Sequence, residues 1–277
     1  MLKIFIIPFA FEEDKLIEDS MLKFQESCPI CKGLGFVKTP KGVKKCTCIY
    51  KGFNINKFLH IPKRFDHASL ESIKSKVETI TYSKVLFYLE NFKDFYQKGK
   101  GLLFIGPPGV GKTFIAISLL KEIYKKFSIR GFFIDTKDLS VRLKVGFSTN
   151  NYHKLVYFLY KVPVLVLDDL GNEELVDWFK DFLIGLINYR YNEKKVTFIT
   201  TNYYPSYLVG KNQFTQSLKG FRVVSNSSIK NEPLPQKVDE QFLLDYKLGS
   251  HIISRIAEMT FPIILKGQDK RVKKITV

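Results

Sequence analysis

Residues 101–113 read Gly-Leu-Leu-Phe-Ile-Gly-Pro-Pro-Gly-Val-Gly-Lys-Thr, and the expected fold follows from them. Gly101–Ile105 is a short apolar run, the pattern of a buried strand. Gly106–Thr113 has the spacing G-x-x-x-x-G-K-T of a phosphate-binding loop, and Phe114-Ile-Ala-Ile-Ser-Leu-Leu120 continues as a helix. Glycines let backbone N–H groups converge on a phosphate, and the helix that follows presents its positive end there. Lys112 can reach β- and γ-phosphates, and Thr113 can ligate Mg²⁺. The expected nucleotide-holding set is Gly106, Pro107, Pro108, Gly109, Val110, Gly111, Lys112 and Thr113.

Outward from this loop the chain alternates strand and helix signals. Downstream, Gly131–Ile134 reads as a strand, Asp138–Val145 and Tyr152–Tyr160 as helices, and Val162–Leu167 as a strand ending at Asp168-Asp169. Between Glu173 and Tyr191, Leu175, Trp178, Phe179, Phe182, Leu183, Leu186 and Ile187 recur at helical spacing. Val196–Thr200 is a strand that runs out at Thr201-Asn202, Ile252–Met259 a helix, and Phe261–Leu265 a last, edge strand. Upstream, Glu71–Gln97 has a helical pattern, with Val77, Ile80, Val85, Leu86, Leu89 and Phe92 near one face. Strands joined by helices predict an α/β, three-layer core with a parallel sheet. The polar stretch 208–247 breaks the alternation and reads as an insertion or mobile arm.

Asp168 and Asp169 fall at the carboxyl end of a buried strand, where open α/β sheets bind ligands. One carboxylate there suits Mg²⁺ held through water; the next can orient or deprotonate an attacking water. Asn202, at another strand end, can hold that water or touch a γ-phosphate.

The 277 residues allow one large domain and a small appendage. No apolar stretch approaches a bilayer span. Ile4–Phe11 is short, contains Pro8 and runs into Glu12-Glu13-Asp14, so a signal peptide and membrane attachment are not expected, and the cytoplasm is the expected location. Met21-Leu-Lys repeats Met1-Leu-Lys, which leaves the native start open and residues 1–27 as an ill-defined lead-in. The formal charge is +17. Nucleic acid is one reading of that excess, and a lysine-rich surface without a polyanion partner is the other.

All four cysteines cluster, as Cys28-Pro-Ile-Cys31 and Cys46-Thr-Cys48, across a stretch with glycine turns that reads as a hairpin. Four thiolates on two short loops suit tetrahedral Zn²⁺. Residues 28–58 are read as this zinc-binding module. His60-Ile-Pro-Lys-Arg-Phe65 follows as an extended connector, within a linker of residues 59–74 ahead of the domain of 75–277 that carries the phosphate-binding loop.

Gly106–Thr113, Leu165-Val-Leu-Asp-Asp-Leu-Gly171, Leu186-Ile-Asn-Tyr-Arg-Tyr191 and Thr197-Phe-Ile-Thr-Thr-Asn202 together resemble the motifs of AAA+ ATPases, in particular the DnaC/DnaI-type bacterial helicase loaders. The cysteine unit resembles that family's N-terminal zinc module, Ile61–Phe65 its linker, and Ile253-Ser-Arg-Ile-Ala-Glu-Met259 its arginine-finger box. The resemblance implies an ATPase using ATP, Mg²⁺ and Zn²⁺. Asp168 would be a Mg²⁺ ligand, Asp169 would stand in the place of a catalytic Glu, and Asn202 would be sensor 1. Arg255 would act as a finger toward a neighbouring subunit, which implies self-association. It implies two further partners, single-stranded DNA and a replicative hexameric helicase. The DNA contact would fall on Thr136–Lys144, through Lys137, Arg142 and Lys144, although a solvated helix face explains the same residues. His251 stands where the family often has Arg. An IstB-like transposition ATPase has nearly the same core motifs but usually lacks the four cysteines. A zinc-containing adaptor that binds nucleotide without hydrolysis is a third reading.

Overall fold

The computed structural model describes residues 36–39, 42–45, 54–74, 78–148, 152–172, 176–209 and 238–271. The chain divides into two compact units, Met1–Pro62 and Lys63–Val277.

In the first unit, β1 (Phe36–Thr39) and β2 (Gly42–Lys45) pair antiparallel, so the expected hairpin forms. Gly42 sits at φ 118°, a conformation an L side chain rarely adopts. A short helix, α1 (Ile55–Phe58), is capped by Asn54, whose Oδ1 accepts from the N–H groups of Asn56 and Lys57. Cys28, Cys31, Cys46 and Cys48 lie outside the described residues, and with them the zinc reading. Among the described residues no cluster of three or more His, Cys, Asp or Glu side chains is placed to hold a metal.

In the second unit the region before the glycine loop is α2 (Leu70–Lys74), α3 (Thr79–Glu90) and α4 (Phe92–Gln97). The single helix expected over Glu71–Gln97 is therefore broken. Asn91 is one cause: its side chain donates to Phe87 O at 2.9 Å, competing with continuation of the helix. Val85, Leu89 and Phe92 are buried as expected, whereas Ile80 and Leu86 are only half-buried. The connector is not extended throughout, because Lys63–Phe65 forms a 3₁₀ turn.

The core then runs β3 (Gly101–Ile105), α5 (Lys112–Phe127), β4 (Gly131–Asp135), α6 (Thr136–Ser148) and α7 (Tyr152–Lys161). It continues through β5 (Val164–Asp168), α8 (Asp177–Asn192), β6 (Val196–Thr201), α9 (Leu244–Leu248), α10 (Ser250–Met259) and β7 (Thr260–Ile264). The sheet order is β4-β5-β6-β3-β7, with every pair parallel. Parallel neighbours need crossover helices, which cover both faces, so the strands read as continuous apolar runs. On one face Leu103, Ile105, Leu165, Leu167 and Ile199 join one core with residues of α6 to α10. On the other, Tyr88 of α3 meets Phe198 edge-on at 5.6 Å. The expected α/β architecture is present, with β7 at an edge.

The reading of 208–247 as one insertion holds only in part. Residues 210–237 lie outside the described residues. Leu244 and Leu248, four apart on α9, are fully buried, and that spacing puts both on the core-facing side of a helix. Tyr204 and Leu243 form a parallel bridge that ties the two ends of the excursion together. Ser206 adds two bonds to Asp245, from its N–H at 2.7 Å and its Oγ at 2.6 Å.

Candidate nucleotide site

The sheet order puts the ends of β3, β4, β5 and β6 side by side, and the candidate site is built on those ends. Gly106, Gly109 and Gly111 all have positive φ, at 156°, 76° and 106°. A Cβ on Gly109 would lie 1.7 Å from Asp269 Oδ1. Gly111 caps α5 with no side-chain hydrogen bond, leaving the first-turn N–H groups directed at the loop. The backbone conformation and the bare helix end together suit a phosphate.

Lys112 is buried, with 7% exposure. Its Nζ donates to Gly106 O at 2.7 Å, Pro107 O at 2.9 Å and Asn202 Oδ1 at 2.6 Å. Burial lowers its pKa to about 8, against the pull of Asp169 and Asp168, which favour the charged form. Asn202 thus sits beside the loop lysine, at the end of β6.

Thr113 Oγ1 lies 2.8 Å from Asp168 Oδ1, and Thr200 Oγ1 2.7 Å from the same oxygen. Asp168 is almost fully buried, which raises its pKa to about 6; the two threonine bonds work against that rise, and Asp169 and Asp135 add to it. A hydroxyl and a carboxylate converging beside a phosphate loop are a donor set suited to Mg²⁺. A bound Mg²⁺ would supply the positive charge that draws the Asp168 proton off and offsets phosphate charge.

Asp169 has φ 62°, left-handed for a residue with a side chain, a region that Asp tolerates better than most. The position is over-determined. Its N–H donates to Thr200 Oγ1 at 2.9 Å, its carbonyl accepts from Thr136 Oγ1 at 3.2 Å, and its Oδ1 accepts from Asn172 Nδ2 at 2.5 Å. The turn aims the carboxylate into the pocket instead of continuing the strand.

A cavity of about 680 Å³ joins these groups. Its lining includes Pro108–Thr113, Asp168, Asp169 and Asn202, together with Arg64, Phe65, His67, Ile73 and Phe114. The structure therefore brings together the glycine loop, Asp168, Asp169 and Asn202. Arg255 is not among the lining residues; it lies on α10 with Nη1 bonded to His251 O at 3.1 Å. Lys137, Arg142 and Lys144 are exposed on α6, outside the cavity. Arg142 pairs with Asp138 at 2.7 Å, and Lys144 Nζ lies 5.8 Å from the centre of the Trp178 ring. Lys137 and Lys144, seven apart, share a side of the helix; Arg142 lies about 140° round from Lys137 at 100° per residue.

Several lining residues were not among the sequence candidates. Asp135 ends β4, and the rule that ligands gather at strand carboxyl ends points to it. Asn172 follows the Asp pair by three residues and could be read as a turn residue. Lys270 and Arg271 carry no local signal, and neither does Asp269 beside them, which is not a lining residue. They come back over the loop after β7: Lys270 N–H donates to Gly109 O at 3.2 Å, and Arg271 Nη2 pairs with Asp269 Oδ2 at 3.0 Å.

Fold and site define a P-loop NTPase of the AAA+ type. The comparisons with known proteins narrow this class. The IstB-like ATP binding protein family matches residues 53–207, more than half of the chain, and the chain belongs to that family. The replicative helicase loader DnaI of Bacillus subtilis (strain 168) is 27% identical over 191 residues, 69% of this chain and 53% of that protein. The crystal structure of the DnaC helicase loader is 34% identical with a TM-score of 0.55, over 74% of this chain and all of that one. The insertion sequence IS5376 ATP-binding protein of Geobacillus stearothermophilus is 30% identical over 108 residues, 39% of this chain and 42% of that protein. The chain spans about half the length of the curated relatives it matches. Family membership implies ATP as the nucleotide. Among the described residues, no helix is long and apolar enough to cross a membrane.

Proposed function

We propose that this protein is an ATP-dependent loader that delivers a replicative hexameric helicase to single-stranded DNA during replication initiation. The observation that carries this reading is the meeting of Lys112, Thr113, Asp168, Asp169 and Asn202 in one cavity. The core bearing it is similar to DnaC and DnaI along most of its length. In this reading ATP lies along the cavity, with its phosphates on the N-terminus of α5. Asp168 and Thr113 hold Mg²⁺, and Asp169 takes a proton from the attacking water. Asp169 is shorter than the Glu common at that place, which suits slow, partner-regulated hydrolysis.

Arg255 lies outside its own cavity, as a finger acting on a neighbouring subunit would. Subunits joined through nucleotide would line up Lys137 and Lys144 along one strand, with Arg142 adding positive charge from another side of α6, raising affinity through multivalency. Cys28, Cys31, Cys46 and Cys48 are proposed to hold one Zn²⁺ that builds a helicase-facing module. Zinc measured at one per chain, and lost on Cys28→Ser with Cys31→Ser, is the expected result.

The deciding experiment is ATP turnover with and without single-stranded DNA, together with capture of the cognate replicative helicase. DNA-responsive turnover plus helicase capture supports a loader. Turnover with capture of a transposase instead supports the second reading, a transposition helper, which the match to the IS5376 protein favours. Nucleotide binding without turnover leaves only an adaptor. Arg142→Glu with Lys144→Glu should weaken DNA binding and reduce its salt dependence while sparing ATP binding.

A further inference from the structure

The cavity lining has two chemistries, the polar groups of the phosphate loop and a set rich in rings, and beside the ring-bearing set lies one buried lysine that no motif contains. Arg64, Phe65, His67, Ile73 and Phe114 form that set, and the His67 and Phe114 rings lie 5.4 Å apart. Phe114 belongs to α5, whereas Arg64 and Phe65 come from the 3₁₀ turn before α2 and His67 from the residues just after that turn. Lys121 lies seven residues beyond Phe114, two turns along the same side of α5. It is 4% exposed, and its Nζ donates to Phe65 O at 3.0 Å, Asp66 O at 3.0 Å and Ala68 O at 3.1 Å. An ammonium has three donors, and here three main-chain carbonyls of one short segment take them. A buried ammonium is costly, and burial lowers the Lys121 pKa, so these bonds have to offset a real penalty.

We propose that Lys121 is a positioning residue that straps the 64–68 segment to α5 and so sets the wall that receives the nucleobase. The proposal rests on the nucleotide reading above. One helix then fixes both ends of the ligand. Its first turn faces the phosphates, and its third turn, through Lys121, fixes where His67 stands relative to Phe114. Rings, an arginine and an aliphatic side chain suit a flat aromatic heterocycle and have little to offer a phosphate chain. Losing Lys121 should therefore loosen the base end and leave the phosphate end intact.

The test compares binding of ATP and of inorganic tripolyphosphate, each with Mg²⁺, by calorimetry on the full chain. Lys121→Met should weaken ATP about tenfold or more, the scale of losing charge-assisted bonds, and leave tripolyphosphate within about twofold. Lys121→Arg, which keeps charge and donors, should retain most of the ATP affinity. If ATP binding is unchanged in Lys121→Met, or if both ligands weaken in parallel, the positioning role is wrong. If Lys121→Met does not melt cooperatively, Lys121→Gln and His67→Ala are read by the same split: a selective loss of ATP supports the role and a parallel loss overturns it. Failure of the nucleotide reading looks different, since wild-type protein would then bind neither ligand.

Discussion

Strand β6 has a buried cation at each end, and the two do different work. At its start Arg190 has no exposure. It donates to Val196 O, Thr197 Oγ1, Leu159 O and Val162 O at 2.7–2.9 Å, joining the end of α7, the strand start and α8. Just past the other end of β6, Lys112 donates to two loop carbonyls and Asn202. Both cations are hidden and both are satisfied mainly by backbone. Only Lys112 opens on a cavity with two carboxylates beside it. A buried cation is thus not a site by itself. It becomes one when its acceptors can be exchanged for a ligand and when acids nearby prepare the place for a metal. Arg190 has a rigid fork matched to fixed carbonyls, the better choice for a permanent joint, and Lys112 a flexible stem that can re-aim its donors.

That contrast can be broken at either end. The largest expected effect is Arg190→Met. It leaves several buried carbonyls without donors, each costing about 1–3 kcal/mol, so the summed loss should be at least about 3 kcal/mol in urea unfolding. ATP affinity of the protein that remains folded should stay within about twofold. A large loss of affinity with little loss of stability would erase the distinction between the two cations.

Asp168 comes next. Its pKa, about 6 in the folded chain, is raised above the usual carboxylate value. Folding then favours the protonated form, so the stabilisation is fully present below about pH 4 and is lost as pH rises through 6. The loss approaches about 3 kcal/mol for a rise of roughly two units. Unfolding midpoints in urea from pH 4 to 7 without Mg²⁺ should fall accordingly, and Asp168→Asn should flatten that slope. Added Mg²⁺ should oppose the fall at the upper end, because the ion takes the carboxylate.

Lys112→Ala is expected to reverse the balance seen at Arg190. ATP affinity should drop about a hundredfold, near 2.7 kcal/mol, while urea stability changes by less than about 1 kcal/mol. Water from the open cavity can replace the lost donor there, which it cannot do around Arg190. Calorimetric titration and urea unfolding of one preparation test both halves.

The smallest effect is expected at a third, exposed cation. Arg142 pairs with Asp138 across one helical turn, with both side chains half-exposed, so Arg142→Ala should cost less than about 0.5 kcal/mol in thermal or urea unfolding. A larger cost would give that pair a structural part. Within that limit, any change in DNA affinity reports contact rather than folding.

Local pattern made much of this legible. The glycine spacing, the apolar run before it and the acid pair at a strand end each describe a few neighbouring residues, and backbone freedom and burial act at that range. Gly106–Thr113 forms the loop and Asp168 and Asp169 face it, as the spacing led one to expect. Arg190 was visible only as part of a motif, with nothing to indicate that it would be fully buried. Lys121 read as one lysine among many on a helix, and the Asp269–Arg271 segment had no pattern at all. The long polar stretch hid α9, because two leucines four apart are too little signal to mark a helix.

What lay beyond reach depends on contacts between distant parts of the chain. Thr113 and Asp168 meet across 55 residues, Lys112 and Asn202 across 90, and Lys121 reaches back to carbonyls 53–56 residues earlier. The first two meetings follow from the order β4-β5-β6-β3-β7, which inserts the glycine-loop strand between β6 and β7 and so brings the chain after β7 over the loop; the third follows from packing of the segment before α2 on α5. Spacing within a segment sets φ, hydrogen-bonding capacity and which face is apolar. Which segments become neighbours is settled when all the apolar faces are buried together, and that is a property of the packed sheet rather than of any stretch along it.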